Sequence, residues 1–143
     1  MATTYATEVS GISTIPTTKN NGGLQGGRVR CFRATIPYDG QASGDDIVLA
    51  EVPAGYVFSH GVITASATAG ASATIAIGVS GATGKYRTAA TFTAANTPTL
   101  FGNAAAMDDA ALTAAETVLA TVGTASLPNS ADFAVIELYY IAP

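Results

Sequence analysis

The sequence predicts an all-β protein, built as an antiparallel β-sandwich or barrel that follows an extended N-terminal arm. Three observations lead to this prediction. About seven or eight short segments rich in β-branched and aromatic residues follow one another, with turn formers roughly every 8–12 residues. No alternation of strands and helices separates them, which disfavours a parallel α/β fold. The 143 residues fit one domain.

Residues 1–27 are predicted to be a flexible arm, and residues 28–143 the β-sandwich domain. The arm is rich in Thr, Ser, Gly and Asn, which bury little apolar surface and favour turns. Ile12 and Ile15 are its isolated apolar anchors, and they are candidates for docking the arm onto a neighbouring subunit. The alternative is a terminus without a role.

The first three strands are predicted at residues 28–37, 46–52 and 56–67, where β-branched and aromatic residues are frequent. Residues 53–55, Pro-Ala-Gly, suit a tight turn because proline presets φ and glycine allows a positive φ. Strict alternation in the third strand places Phe58, His60 and Val62 on one face.

His60 is the single histidine of the chain. Its apolar neighbours favour a partly buried histidine in the core or an interface over a general base.

A hairpin is predicted in the middle of the chain. Residues 73–79 alternate large and small apolar side chains, residues 80–84 form the turn, and residues 85–93 return as the partner strand. The glycines around this turn resemble a phosphate loop, but their spacing to Lys85 is one residue too long and Tyr86 follows the lysine. A loop or short strand is predicted at residues 94–102.

The end of the chain is predicted to hold a turn of helix or a loop at residues 103–117, then strands at residues 116–125 and 131–141. The last strand carries large apolar side chains on both faces, with Phe133 and Tyr139 on one of them. Two apolar faces indicate a central strand, or an edge strand that a partner covers.

Composition excludes several classes of function. Only 11% of the residues are charged, and the net charge of −4 argues against a nucleic-acid partner, because phosphate binding needs clustered Lys and Arg. One Cys and one His argue against an internal disulfide and the usual metal sites. We therefore expect a non-enzymatic protein without metal or cofactor. No segment is long enough to predict a membrane span.

Arg28, Arg30 and Arg33 form the strongest charged feature, because they cluster on the first predicted strand of an acidic chain. Arginine forks pair well with carboxylates, so one interpretation is contact with an acidic partner surface or a neighbouring subunit. The other interpretation is a solvated strand edge that resists aggregation.

A resemblance covers most of residues 28–141. It lies in the run ATIPYDGQASGDDIVLAEVPAG at residues 34–55 and in the later segments GVIT, ATIAIG and GKYRTAATFT. The segments FG, ATV, LP and FAVIELY complete it. Together these segments resemble small virion structural proteins of tailed bacteriophages, in particular the head decoration, or cement, proteins. The resemblance rests on the rhythm of strands and turns and includes no catalytic signature.

The resemblance implies a jelly-roll β-sandwich, often trimeric, that sits on the capsid exterior after synthesis in the host cytoplasm. Its partners would be the major capsid protein and its own copies, and it would stabilise the shell by bridging capsid subunits. The alternative function is a receptor- or glycan-binding module of a tail fibre or surface adhesin. The candidate interface residues are Ile12, Ile15, Arg28, Arg30, Arg33, Phe133 and Tyr139.

Overall fold

A computed structural model describes residues 26–108 and 110–143 of the chain. Almost all of the predicted arm, including Ile12 and Ile15, therefore lies outside the described residues. The strands are β1 (Arg28–Asp39), β2 (Asp46–Val52), β3 (Val57–Ala65), β4 (Thr74–Val79), β5 (Ala82–Thr91), β6 (Thr99–Phe101), β7 (Glu116–Gly123) and β8 (Asn129–Ala142). One 3-10 helix, Ala104–Ala106, lies between β6 and β7.

The strands form two antiparallel four-stranded sheets. The first sheet has the order β1-β8-β3-β6, and the second has the order β2-β7-β4-β5. β1 pairs with β8, β2 with β7, β3 with β6 and β4 with β5. The chain is thus one long hairpin, closed at β4 and β5, that winds into two packed sheets. This topology is a jelly roll, and it confirms the predicted all-β sandwich.

Strand positions agree closely with the sequence prediction, except at the central hairpin. The predicted five-residue turn at 80–84 is too long, because β5 already begins at Ala82 and Val79 pairs with Ala82. The turn is Ser80-Gly81, and Gly81 adopts a positive φ of 80°. A two-residue hairpin favours glycine at such a position because other residues are strained there. In the described part of the segment before β7, the short 3-10 helix Ala104–Ala106 is the regular element, which agrees with the predicted turn of helix.

Strict alternation along the third strand is wrong, because a register shift lies between Phe58 and His60. One extra residue in a strand moves all later side chains to the opposite face. Phe58 therefore points inward and is 3% exposed, whereas His60 and Val62 point outward. The structure separates two residues that the sequence pattern had placed on one face.

The core lies between the sheets and receives equivalent side chains from each. Ile63 and Ile136 of the first sheet and Ile75 and Ile77 of the second are all fully buried. Tyr140 of β8 joins the two layers, because its ring lies 6.1 Å from the ring of Tyr86 in the opposite sheet. Burial of these side chains is the main source of stability for such a fold.

The last strand, β8, is a central strand because it lies between β1 and β3. This is one of the two alternatives that the sequence predicted. Its inward residues Ile136, Leu138 and Tyr140 are buried in the core. Its outward residues remain partly exposed, since a central position satisfies the backbone hydrogen bonds of a strand and does not cover its outer face.

Candidate interaction surfaces

The outward side chains of the first sheet form one continuous surface, which we call the first outer face. The register places Cys31 of β1 beside Tyr139 of β8, and Tyr139 beside His60 of β3. Leu100 of β6 lies beside Val62 of β3. The face comprises Val29, Cys31, Arg33, His60, Val62, Leu100, Phe133, Val135, Glu137, Tyr139 and Ile141.

Large apolar side chains are exposed at several points of the first outer face. Leu100 is 71% exposed, Val29 61% and Phe133 44%. They lie on three different strands, so the apolar surface extends across the width of the sheet. Several large apolar side chains exposed on one face of a protein are typical of contact sites between proteins.

A charged pair lies at the middle of the same face. Arg33 Nη1 donates to Glu137 Oε1 at 3.3 Å, and Tyr139 Oη donates to Glu137 Oε2 at 2.9 Å. The hydrogen bond to Glu137 raises the pKa of Tyr139 to about 12, since the carboxylate favours the protonated phenol. The face therefore carries one positive and one negative group that largely neutralise each other.

A shallow groove borders the first outer face near β6. His60 stacks on Tyr139 with ring centroids 4.7 Å apart, and Ser59 Oγ lies 3.1 Å from His60 Nδ1. The groove has a volume of about 480 Å³ and is lined by His60, Leu100, Phe101, Gly102 and Met107. The contacts described for His60 are thus with an aromatic ring and a serine hydroxyl, and its role in an interface stays a prediction.

β6 is held close to β3 because Gly61 has no side chain. A Cβ atom at Gly61 would lie 2.1 Å from the ring of Phe101, which packs directly over the glycine backbone. The short strand that carries Leu100 is therefore positioned by this contact and by its backbone pairing with β3.

Arg28 and Arg30 occupy a different surface from Arg33. They alternate with Val29 along β1, so they lie on the side of the strand that also carries Phe32. Together with Tyr56 and Pro143 they line an open pocket of about 370 Å³ at the end of the sandwich. Among the described residues the ion pairs are Arg33–Glu137 and Lys85–Glu116, so neither of these two arginines has a carboxylate partner there.

The outward side chains of the second sheet form the second outer face, which differs in chemistry. Thr121 Oγ1 donates to Asp46 Oδ1 at 2.5 Å, and Thr117 Oγ1 donates to Glu51 Oε1 at 2.8 Å. Val48 is its exposed large apolar residue, at 61%. The face comprises Asp46, Val48, Glu51, Thr74, Ala76, Thr117, Leu119 and Thr121.

A partly buried polar cluster lies beside the 3-10 helix, where Lys85, Tyr86 and Glu116 line one pocket with Ala105 and Ala106. Tyr86 Oη donates to Glu116 Oε2 at 2.6 Å, and Lys85 forms an ion pair with the same carboxylate. Burial raises the pKa of Tyr86, and the hydrogen bond to Glu116 adds to the shift. Burial also raises the pKa of the neighbouring Tyr140 to about 12. The cluster anchors β5 to β7. Lys85 and Glu116 are 31 positions apart in the chain, so no local sequence pattern indicated their contact.

The structure separates the predicted interface residues into two groups. Arg33, Phe133 and Tyr139 lie together on the first outer face, whereas Arg28 and Arg30 lie at the end pocket. The sequence interpretation missed Val29 and Leu100, which are more exposed than Phe133. Alternation with the arginines could have identified Val29. Leu100 carried no signal, because the pairing of a three-residue strand is decided by distant residues.

Other kinds of site find little support in the described part of the chain. Residues 26–108 and 110–143 contain no group of three or more His, Cys, Asp or Glu side chains arranged to hold a metal ion. Over the same residues, no helix has the length and apolar character needed to cross a membrane. Asp45 and Asp46 act locally, since Asp45 accepts from the Ala42 backbone nitrogen and Asp46 from Thr121.

Comparison with known proteins identifies structural relatives but no sequence family. No protein-family model matches the chain, and no curated protein matches its sequence. A chain of the capsid asymmetric unit of cyanophage Pam1 has a similar structure, with a TM-score of 0.67 and 14% identity. The similarity covers 82% of this chain and 86% of that chain.

Two further structures give the same result. A chain in the capsid of Ralstonia phage GP4 matches with a TM-score of 0.63 and 19% identity over 82% of this chain and 84% of that chain. A chain in the acidic stable capsid structure of Helicobacter pylori bacteriophage KHP30 matches with a TM-score of 0.59 and 14% identity, over 80% and 88%. At these identities the similarity shows a shared fold.

Proposed function

We propose that this chain is a non-enzymatic decoration, or cement, protein that binds the outer surface of a phage head and stabilises the shell by bridging capsid subunits. One observation carries the proposal. The structural relatives come from three phage capsids, and each match covers at least 80% of both chains. The relatives are therefore jelly rolls of about the same length as this chain, and each is one component of a capsid.

The surface chemistry supports a lattice-bound structural role. Only 11% of the residues are charged, so a large area can be buried against a neighbour with little desolvation of charge. The exposed apolar residues of the first outer face add favourable burial. Many copies on a symmetric shell also gain from multivalent attachment, because each additional contact is intramolecular.

The partners follow from this role: the major capsid protein and further copies of the chain, as a homotrimer. Arg28 and Arg30 are the proposed contact with an acidic patch of the capsid, because they are exposed and lack a carboxylate partner among the described residues. The N-terminal arm, with Ile12 and Ile15, is proposed to add a second attachment to the shell. Nucleic acid and membranes are not proposed partners.

The proposed function is tested on phage heads that lack this protein. Purified chain is added to the heads, bound protein is measured by co-sedimentation, and its position is determined by electron microscopy. We expect saturable binding to the head exterior and rupture of the shell at a higher temperature. Absence of binding, or binding only to tails, would contradict the proposal.

Paired charge variants locate the attachment site. Arg28→Glu with Arg30→Glu should weaken binding to heads, because an acidic capsid patch would then meet like charge. Ala89→Glu with Ala90→Glu is the control, since both alanines are exposed on β5 of the second sheet. Equal binding of both variants and the wild type to heads would show that Arg28 and Arg30 do not contribute to the interface with the capsid.

A further inference from the structure

We propose that the first outer face is the surface through which copies of this chain associate, with the faces of neighbouring copies turned toward one another around the symmetry axis. This inference rests on the self-association in the proposed function, and it assigns that association to one face. It also assigns head binding and self-association to different surfaces of the same strand.

The exposed apolar side chains indicate which outer face of the sandwich another protein molecule covers. Val29, Leu100 and Phe133 are exposed on three strands of one sheet. Ile141 lies beside Val29 at one end of the face, with Tyr139 next along β8, and Phe133 lies toward the other end. Interfaces between copies of a chain are enriched in aromatic and aliphatic side chains. On this face such side chains surround one central ion pair, Arg33–Glu137, so the area around that pair is suited to burial.

Charge identifies a second copy as the occupant. Arg33 and Glu137 lie side by side on neighbouring strands, so the face is nearly neutral and carries both signs. A second copy brings the same two groups, and Arg33 of one copy can pair with Glu137 of the next around a rotation axis. An acidic partner surface would meet Arg33 favourably but would repel Glu137.

The second outer face does not fit self-association. It carries Asp46 and Glu51, whose oxygens accept hydrogen bonds from threonine hydroxyls. Two such faces would bring carboxylates of like charge together, and the chain already has a net charge of −4. Copies that associate therefore have an electrostatic reason to use the first face.

The end pocket remains free in this arrangement. Arg28 and Arg30 point to the opposite side of β1 from Val29 and Arg33. Association through the first outer face would leave both arginines available for an acidic partner. One strand would then serve two interfaces, one with its odd-numbered and one with its even-numbered residues.

Val29 and Val48 provide a matched pair of variants. Each valine is 61% exposed, each lies on the edge strand of its sheet, and each points away from the core. Val29→Lys is combined with Leu100→Lys to place charge on the first outer face. Val48→Lys, combined with Thr121→Lys, places the same charge on the second outer face. Because all four sites are solvent-accessible, folding should be retained, which far-UV circular dichroism checks.

The first measurement is the solution mass by light scattering after gel filtration. We expect the wild type and the Val48 variant to have about three times the 14.3 kDa mass of one chain. The variant with Val29→Lys and Leu100→Lys should fall to the mass of a single chain. A wild type that is monomeric, or a loss of mass in the Val48 variant alone, would overturn the proposal.

Cys31 supplies a second measurement because the single cysteine of the chain is exposed on the first outer face. Its thiol should react slowly with a maleimide in the wild-type assembly and faster in the variant with lysines on that face. Ile12→Ser with Ile15→Ser tests whether the arm is the occupant. If that variant frees the thiol while the mass is unchanged, the arm covers the face and the proposal is wrong.

These outcomes are independent of the head-binding experiment. A trimer that forms through the first outer face but does not bind heads would contradict the proposed function alone. A monomer that binds heads through Arg28 and Arg30 would contradict the homotrimer and the assignment of the face, and it would support the head-binding role.

Discussion

The first and second outer faces belong to the same sandwich, yet their exposed side chains are satisfied in different ways. On the second face, Asp46 and Glu51 accept hydrogen bonds from threonines of the neighbouring strand. On the first face, Val29 and Leu100 have no such neighbours and are more than half exposed. The second face exposes one large apolar residue, Val48, whereas the first exposes Val29, Leu100 and Phe133, so covering the first face would bury more apolar surface. The difference teaches that two sheets with equivalent cores need not have equivalent roles.

The largest expected effect is on the free energy of unfolding, and it tests whether the core side chains of the two sheets contribute equally to stability. Ile136→Ala in β8 and Ile75→Ala in β4 should each lower the free energy of unfolding by about 2–5 kcal/mol, because each removes a fully buried side chain and leaves a cavity. The measurement is urea denaturation at one fixed protein concentration.

Val135→Ala is the control for the core variants, since Val135 is adjacent to Ile136 but lies on the partly exposed side of β8. Val135→Ala should lower the free energy of unfolding clearly less than either isoleucine variant does. A loss confined to one of the two isoleucine variants would show that the difference between the sheets extends into the core.

The next effect concerns one tyrosine from each sheet. Burial raises the pKa of Tyr140 to about 12, above the 10.0 of a free tyrosine, and the pKa of Tyr86 is raised as well. Between pH 10 and pH 12 these tyrosine hydroxyls lose their protons in the unfolded chain and keep them in the folded chain. The contribution to stability is therefore complete below pH 10 and decreases as the pH rises toward 12, by about 1.4 kcal/mol per pH unit and group. Urea midpoints at pH 9 and pH 11 measure this loss.

Phenylalanine variants separate the two tyrosines. Tyr140→Phe and Tyr86→Phe should each reduce the alkaline loss, and an unchanged loss in both would refute its assignment to these groups. At pH 7 we expect them to differ. Tyr86→Phe removes a hydrogen bond to Glu116 and should cost about 0.5–1.5 kcal/mol. Tyr140→Phe removes a buried hydroxyl that has no hydrogen-bond partner within residues 26–108 and 110–143, and it should cost less.

The smallest effects distinguish the outer faces directly. Thr117→Val on the second face and Arg33→Gln on the first should each change the free energy of unfolding by less than about 1 kcal/mol, because both sites are exposed. Their dependence on protein concentration should differ. Thermal unfolding from dilute to concentrated solution should show a constant deficit for Thr117→Val and a growing deficit for Arg33→Gln. Parallel behaviour of both variants would argue against a contact between copies at the first face.

The positions of the strands could be predicted well because each strand depends mainly on the residues within it. Residues 46–52 were predicted as the second strand, and β2 has the bounds Asp46–Val52. Pro53-Ala54-Gly55 was predicted as a turn, and Gly55 adopts a φ of 89°. These features depend on residue preference and alternation within a few positions, so neighbouring residues suffice to specify them.

The candidate site was predicted only in part. Phe133 and Tyr139 were identified from the two apolar faces of the last strand, and both lie on the first outer face. Arg28, Arg30 and Arg33 all lie on β1, and the pleat of the strand divides them between two surfaces. The groove beside His60 was not predicted, because β6 brings Leu100 to it from a distant part of the chain.

The sequence by itself determined the all-β class, the approximate positions of most strands, and the low content of charged residues. Each of these follows from composition or from the pattern of adjacent residues. Tertiary structure decided that β1 pairs with β8, that a register shift turns Phe58 inward and His60 outward, and that Lys85, Tyr86 and Glu116 meet. The physical reason is that strand pairing joins residues far apart in the chain, and a partner's register, rather than local preference, fixes which side chains share a face.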